Sequence, residues 1–163
     1  RKTDENGRDH FKMHAPEGEK MAKNILRRLK FDNDTISKVS RLIKYHDDRP
    51  MPEMRSVRKA VNRIGEDLFP LYLEVQKADM LAQSDYRREE KTARLEGVTE
   101  CYNRILEQKQ CVSMKTLAVS GKDLIDAGMR PGPEMGRILG KMLEHVLEVP
   151  EDNTKETLMK LIK

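Results

Sequence analysis

The chain has 163 residues and a mass of 18.9 kDa, which suits one compact domain or two small ones. Charged residues form 37% of the sequence, aromatic residues form 4%, and tryptophan is absent, a composition that argues against a large β-sandwich. No apolar run approaches the roughly 20 residues that span a bilayer, which excludes a membrane-spanning protein. Cys101 and Cys111 lack the spacing of a metal site, so we expect reduced thiols and a cytoplasmic location.

The net charge of +4 is distributed unevenly along the chain. Residues 1–66 contain 17 Lys and Arg against 11 Asp and Glu, whereas residues 67–110 contain 7 against 9 and residues 111–163 contain 8 against 8. The basic first third is therefore the candidate surface for phosphate groups. Cations at the end of a helix also interact favourably with the helix dipole, so a purely structural role stays open.

Helical periodicity predicts five helices before residue 110. Apolar residues recur there at intervals of three and four, as on one face of a helix. Prolines interrupt the pattern after His46, and a glycine ends the third helix. The predicted helices cover residues 16–30, residues 33 or 34 to 46, residues 57–64, about 67–84 and about 90–109.

The remaining chain predicts shorter helices joined by turns. Residues 111–119 are loop-like, and Ser120 with Asp123 forms a capping-box pattern at the start of a brief helix. Gly128 ends that helix, and Pro133 suits the first turn of the next one. A last helix follows Asn153. Since no strand is predicted, the expected fold class is all-α, with a boundary near residues 110–115.

Polar residues on apolar faces are the candidate metal ligands. Asp79 lies on the apolar side of its predicted helix, where an ionised carboxylate must be paired, hydrogen-bonded or bound to a metal. His46 continues an apolar stripe and is followed directly by Asp47. With His10 and His14, these residues form a donor set able to hold a divalent metal. The alternative is structural, because a buried Asp often pairs with Arg and a histidine often ends a helix.

No standard nucleotide-binding or nucleophile motif occurs. Ser120-Gly121-Lys122 lacks the upstream glycine and the preceding strand of a phosphate loop. The glycine-rich turn around Arg130, before the next helix, is a candidate backbone contact for phosphate. A tight turn between two helices explains the same residues equally well, so both interpretations stay open.

Four segments resemble, in this order, the C-terminal part of bacterial CCA-adding tRNA nucleotidyltransferases. They are DENGRDHFKMHAPEGEKMAKNILRRLKF, KYHDDRP, KADMLAQSDY and LAVSGKDLIDAGMRPGPEMGRILGKMLEHVLE. The resemblance covers essentially the whole chain, and its last segment is the most specific. It implies a helical bundle of HD-like type over residues 1–110, followed by a smaller, tRNA-binding helical tail over residues 111–163.

The resemblance also implies a function in processing the 3′ end of tRNA. In this family an N-terminal head carries the nucleotidyl-transfer carboxylates and their Mg²⁺ ions, while the body and tail bind tRNA. This sequence lacks the Gly-Ser pair and the Asp-x-Asp motif of that head, and it starts at Arg1. We therefore expect a piece of a longer protein, without catalytic polymerase residues, whose partners are tRNA and the head. Its candidate RNA contacts are Arg27, Arg28, Lys30, Arg55, Arg58, Lys122 and Arg130.

Two alternatives accompany this hypothesis. Family members with an HD-type domain carry a His-Asp doublet that would precede Arg1, and they bind a divalent metal for phosphohydrolase chemistry. By this resemblance the metal donors of the present chain are His14, His46 and Asp79. The other alternative is a structural helical fragment that packs on the missing head. The choice among adding CCA, CC or A lies in that head.

Overall fold

The computed structural model describes residues 2–3, 9–10 and 14–161 and confirms the all-α fold class. Two short strands, β1 (Lys2–Thr3) and β2 (Asp9–His10), pair antiparallel ahead of the helices, although no strand was predicted. No helix in the described part of the chain is long and apolar enough to cross a membrane. The helices are α1 (His14–Arg28), α2 (Asn33–Tyr45), α3 (Met54–Ile64), α4 (Phe69–Ala82), α5 (Arg88–Glu107), α6 (Gly121–Asp126), α7 (Pro133–Glu148) and α8 (Lys155–Lys160), with a 3₁₀ turn at Pro150–Asp152.

Side-chain caps define the starts of α2, α6 and α8. Ser120 and Asp123 form the predicted capping box at α6, each side chain bonding the backbone N–H of the other. Lys155 Nζ donates to Asp123 at 2.5 Å, and these contacts hold the pKa of the Asp123 carboxyl well below its usual range. α2 is capped by Asp32, which directly precedes the predicted helix start at residue 33 or 34, because its carboxylate accepts the Thr35 N–H at 2.9 Å.

Left-handed residues end three of the helices. Lys30, Lys109 and Gly128 have φ angles of +59°, +50° and +92° and follow α1, α5 and α6. At α1, Lys30 N–H donates to Arg27 O and Phe31 N–H to Leu26 O, which is the Schellman arrangement. Glycine usually occupies this position because a side chain is unfavourable there. Lysine at two of the three positions therefore carries a conformational cost.

The helices form two compact units that do not follow the predicted boundary near residue 110. Unit 1 comprises residues 1–49 and 67–86, and unit 2 comprises residues 50–66 and 87–163. The difference arises because α3 packs against both α5 and α7, which assigns α3 and α5 to the unit that contains the tail. Contacts between segments distant in sequence, rather than order along the chain, set this division.

Unit 1 is built around the pairing of α1 with α2. A Cβ atom at Gly18 would lie 3.2 Å from Ile43 Cγ2, so the missing side chain permits close approach of the two helices. His14 lies one turn before Gly18, and His46 lies three residues after Ile43. The helix pairing therefore brings the start of α1 to the end of α2. The buried apolar residues of this unit are Ile36, Leu68, Phe69, Tyr72 and Leu73.

Unit 2 buries its apolar residues around α3, α5 and α7. Arg58 on α3 is only 4% exposed and donates to the carbonyl oxygens of Leu147 and Glu148 at 2.8 and 3.2 Å. These are unpaired carbonyls of the last turn of α7, so Arg58 satisfies groups that a helix end leaves without partners. One core cluster, from the tail half of the unit, comprises Cys111, Val119, Leu124, Met142, Leu143, Val146, Leu147 and Leu158.

Candidate functional site

His14, His46 and Asp47 form a cluster of possible metal ligands in unit 1. His14 Nε2 lies 3.0 Å from His46 Nε2 and 2.8 Å from Asp47 Oδ2. His46 Nε2 lies 3.8 Å from Asp47 Oδ1. One donor atom from each of the three residues falls within 4.8 Å of the others. The structure thus brings together two of the predicted metal donors, His14 and His46, and adds Asp47.

Hydrogen bonds orient His46 for this role. Its Nδ1 lies 2.6 Å from the backbone carbonyl of Ile43, so Nδ1 is the protonated nitrogen that donates and Nε2 carries a lone pair. Its own carbonyl oxygen accepts from Arg49 Nη1 at 2.7 Å and from the buried side chain of Gln76. Both the ring and the backbone of His46 are therefore held in place.

The donor types of the cluster, two imidazoles and a carboxylate, are those that bind divalent transition metals, but only one of the three separations matches such a site. Bonds of about 2.1 Å to two ligands at angles of 90° to 110° separate the ligand atoms by about 3.0 to 3.4 Å. The 3.0 Å between the two Nε2 atoms falls in this range, and the 2.8 Å from His14 to Asp47 Oδ2 lies just below it. The 3.8 Å from His46 to the other oxygen of Asp47, Oδ1, lies above it. Three protein donors leave coordination positions for water or a ligand oxygen.

Asp79 lies outside this cluster. Its Oδ2 accepts from Arg49 Nη2 at 3.2 Å and from Gln83 Nε2 at 2.8 Å. Its side chain is 37% exposed, although Asp79 follows the buried Gln76 by one turn of α4. Of the three predicted alternatives for this carboxylate (paired, hydrogen-bonded or bound to a metal), the structure describes an ion pair with Arg49 and a hydrogen bond from Gln83, at a half-exposed side chain. His10 belongs to β2, and its side chain lies outside the described residues.

The basic end of α1 is exposed. Arg27, Arg28 and Lys30 all lie on the surface, and among the described residues none of the three forms an ion pair. Phe31, directly after them, is 48% exposed. The nearby carboxylate of Asp32 is already hydrogen-bonded, because it accepts from both the N–H and the hydroxyl of Thr35 as the cap of α2. These bonds lower the pKa of Asp32. Within the described part of the chain, this end of α1 therefore presents three exposed cations without an ion-pair partner.

The other predicted RNA contacts differ in burial and in ion pairing, and so in whether they can reach RNA. Arg58 is buried, and its remaining guanidinium donor binds Gln110 Oε1 at 3.0 Å, so burial removes this residue from any RNA-contacting surface. Burial also lowers the pKa of Arg58. Arg55 is exposed but pairs with Glu148, which also binds Lys59.

The last two predicted contacts lie in the tail half of unit 2. Lys122, in the first turn of α6, and Arg130, in the turn before α7, are exposed and form no ion pair in the described part of the chain. Sequence spacing could not separate these surface cations from the buried Arg58, because burial depends on which helices pack together.

A family model places the chain among known proteins. The model for tRNA nucleotidyltransferase domain 2 matches residues 11–162, nearly the whole chain. The chain belongs to this family. The resemblance to CCA-adding tRNA nucleotidyltransferases seen in its sequence is thereby confirmed.

Two curated relatives support the assignment. The chain is 32% identical over 139 residues to a CC-adding tRNA nucleotidyltransferase from Thermus thermophilus, which covers 85% of this chain and 30% of the relative. It is 36% identical over 66 residues to a CCA-adding enzyme from Levilactobacillus brevis, which covers 39% of this chain and 17% of the relative. The chain thus spans less than a third of the length of either relative. No solved structure matches significantly.

Proposed function

We propose that this chain is a tRNA-binding part of a tRNA nucleotidyltransferase that holds the RNA backbone during processing of the 3′ end. The observation that carries the proposal is the set of exposed, unpaired cations at the end of α1, Arg27, Arg28 and Lys30, in a member of this family. Such cations neutralise phosphates without reading bases. Duplex RNA is recognised mainly by its shape and backbone, which suits this surface.

Lys30 is left-handed and exposed at the end of α1. Lys109 has the same conformation after α5, so the conformation by itself does not mark an RNA contact. Phe31 adds an exposed ring that can stack on an unpaired base. In unit 2, Lys122 and Arg130 remain proposed contacts. Arg55 joins them, although phosphate would have to compete with Glu148 for its guanidinium. Arg58 is left out because it is buried.

Lys30→Gly and Lys109→Gly form a matched pair that tests the proposal. Each substitution removes one positive charge and relieves the same left-handed backbone at a helix end, so both variants should fold at least as well as the parent. We expect Lys30→Gly to weaken binding of a tRNA transcript roughly fivefold near 0.1 M salt and to reduce the salt slope by about one. Lys109→Gly should leave both quantities unchanged. Fluorescence anisotropy at several salt concentrations measures them.

Two outcomes would contradict RNA binding at the end of α1. The first is an equal loss of tRNA affinity in both variants, because each variant removes one positive charge. An equal loss would then reflect the net charge of the chain and not the position of Lys30. The second is parent affinity that is absent at low salt or insensitive to salt, because phosphate contacts release counterions.

We further infer that unit 1 packs against the nucleotidyltransferase head. Mg²⁺ would be the cofactor of that head, where it would serve nucleotidyl transfer. Met21, Ile25 and Leu29, one turn apart on α1, are 63%, 41% and 58% exposed and form an apolar α1 stripe. The curated relatives are more than three times as long as the matched region, so they carry further chain that could cover such a stripe.

An uncovered α1 stripe should make the isolated chain self-associate. We expect the average mass in sedimentation velocity to rise with protein concentration and Ile25→Glu to abolish the rise. A parent chain that stays monomeric at about 1 mM would argue against the stripe as a docking face.

A second candidate function is an HD-type, metal-dependent phosphohydrolase. The observation that favours it is the meeting of His14 and His46 with a carboxylate at one solvent-accessible point. Its first requirement is metal binding, which isothermal calorimetry measures when Co²⁺ is added to chelator-treated protein. We expect about one Co²⁺ per chain, and no binding at millimolar Co²⁺ would contradict this function.

The two free thiols, Cys101 and Cys111, agree with a reducing, cytoplasmic compartment, which we retain as part of the proposal.

A further inference from the structure

We propose that Arg55 and Lys59 on α3 form a phosphate-binding pair for the tRNA backbone, and that Glu148 at the end of α7 competes with the phosphate for both cations. Lys59 thereby joins the set of RNA contacts, and the Glu148 carboxylate limits how tightly unit 2 holds RNA. The pair takes the tRNA backbone as its ligand and so rests on the proposed function.

Arg55 and Lys59 lie on the same face of α3. They are four residues apart, the spacing that places two side chains next to each other on a helix. Their side chains are 63% and 42% exposed, so both charged groups reach solvent. Two neighbouring cations on an exposed helix face can neutralise a phosphate without reading a base.

Glu148 binds both cations with one carboxylate. Its Oε1 accepts from Arg55 Nη2 at 2.9 Å and from Lys59 Nζ, while its Oε2 pairs with Arg55 Nε. The carboxylate therefore covers the Nε–Nη2 edge of the guanidinium, an edge that also binds phosphate through two hydrogen bonds. The hydrogen bonds from Lys59 and Arg55 hold the pKa of Glu148 below its usual range, so this carboxylate is ionised at neutral pH.

Buried Arg58 fixes the position of Glu148 beside α3. Arg58 lies between the two cations in sequence, and its Nη2 donates to the Glu148 carbonyl oxygen at 3.2 Å. Because the backbone of Glu148 is anchored in this way, its carboxylate stays within reach of Arg55 and Lys59. A competing group held in the same chain acts at a high effective concentration.

RNA can nevertheless displace the carboxylate. The Glu148 side chain is 32% exposed, and ion pairs at the surface are weak. Two cations and one carboxylate leave the cluster with a net charge of +1, so it still attracts a phosphate. The affinity of the pair for RNA is therefore lowered by Glu148 and not abolished.

Glu148→Gln and Glu144→Gln test this competition. Each removes one negative charge from α7, and Glu144, one turn earlier, is exposed and has no ion pair among the described residues. The probe is a tRNA transcript, followed by fluorescence anisotropy at several salt concentrations. We expect Glu148→Gln to tighten binding roughly fourfold near 0.1 M salt and to steepen the salt slope by about one or two. Glu144→Gln should change the affinity by less than about twofold.

A double-mutant cycle attributes the gain to Lys59. We expect Lys59→Gln to lower the tRNA affinity roughly threefold more in the Glu148→Gln variant than in the parent chain, because the ammonium is released from its carboxylate only there. Glutamine keeps the size of Glu148 and one hydrogen-bond acceptor, so each variant should fold. Urea midpoints check this.

Three results would overturn the inference while leaving RNA binding at the end of α1 intact. Unchanged or weaker tRNA binding in Glu148→Gln would show that the carboxylate does not compete with phosphate. Equal tightening in Glu144→Gln would reflect the net charge of α7 alone. A gain that persists in full after Lys59→Gln would exclude Lys59 from the pair. If the parent chain and Glu148→Gln both fail to bind tRNA at low salt, the proposed function itself is overturned, and the phosphate-binding pair with it.

Discussion

We expect Arg58→Ala to lower the free energy of unfolding of unit 2 by about 3 kcal/mol. The substitution removes a buried guanidinium and leaves the carbonyl oxygens of Leu147 and Glu148 without their donors. It also removes the donor to Gln110 Oε1. Urea denaturation followed by circular dichroism measures the change.

Arg55→Ala is the matched control for this prediction. Arg55 lies on the same helix, three residues earlier, and pairs with the carboxylate of Glu148, but its side chain is 63% exposed. Exposed ion pairs contribute little, so we expect a loss below about 1 kcal/mol. Equal losses in the two variants would contradict a structural role for Arg58. So would a loss of tRNA affinity in folded Arg58→Ala with unchanged stability, which would restore Arg58 to the RNA-contacting set.

Gly97→Ala should destabilise the chain, although Gly97 lies inside α5. Helix propensity alone predicts a gain of about 1 kcal/mol for this change. In the structure, however, a Cβ atom at Gly97 would lie 2.7 Å from Cβ of Pro52, whose ring cannot move aside without shifting its loop. Overpacking of this kind costs about 1–3 kcal/mol, so we expect a net loss of about 1–2 kcal/mol in urea denaturation.

Gly140→Ala is the control for Gly97→Ala. Gly140 also lies inside a helix, α7, but nothing approaches its Cβ position within 4 Å. The same substitution should therefore stabilise the chain by up to about 1 kcal/mol. The two glycine variants should differ in sign. If both substitutions stabilise the chain, that result would contradict the close approach of α5 to Pro52.

Most helices could be predicted because their signals are local. Periodic apolar residues and the Ser120–Asp123 capping box lie within a few residues of the structure that they define, and both are observed. The two-unit division could not be predicted in the same way. It depends on α3 packing against α5 and α7, contacts between segments separated by more than 20 residues.

The candidate metal donors also depend on contacts that the sequence pattern could not predict. The sequence marked Asp79 because it lies on an apolar helix face, and it noted that Asp47 follows His46. Arg49 pairs with both carboxylates, at 3.2 Å with Asp79 and at 3.6 Å with Asp47, and Asp47 in addition lies 2.8 Å from His14. No spacing rule contains that information.

The sequence by itself determined the helical fold class, most helix positions and the family, since these follow from local patterns and from matching residues along the chain. Only the tertiary structure decided which polar residues are free to act. It buried Arg58 against the end of α7, left Lys30 exposed, and joined His14 to Asp47. The physical reason is that burial and pairing energies depend on distances between side chains, and packing of remote segments sets those distances.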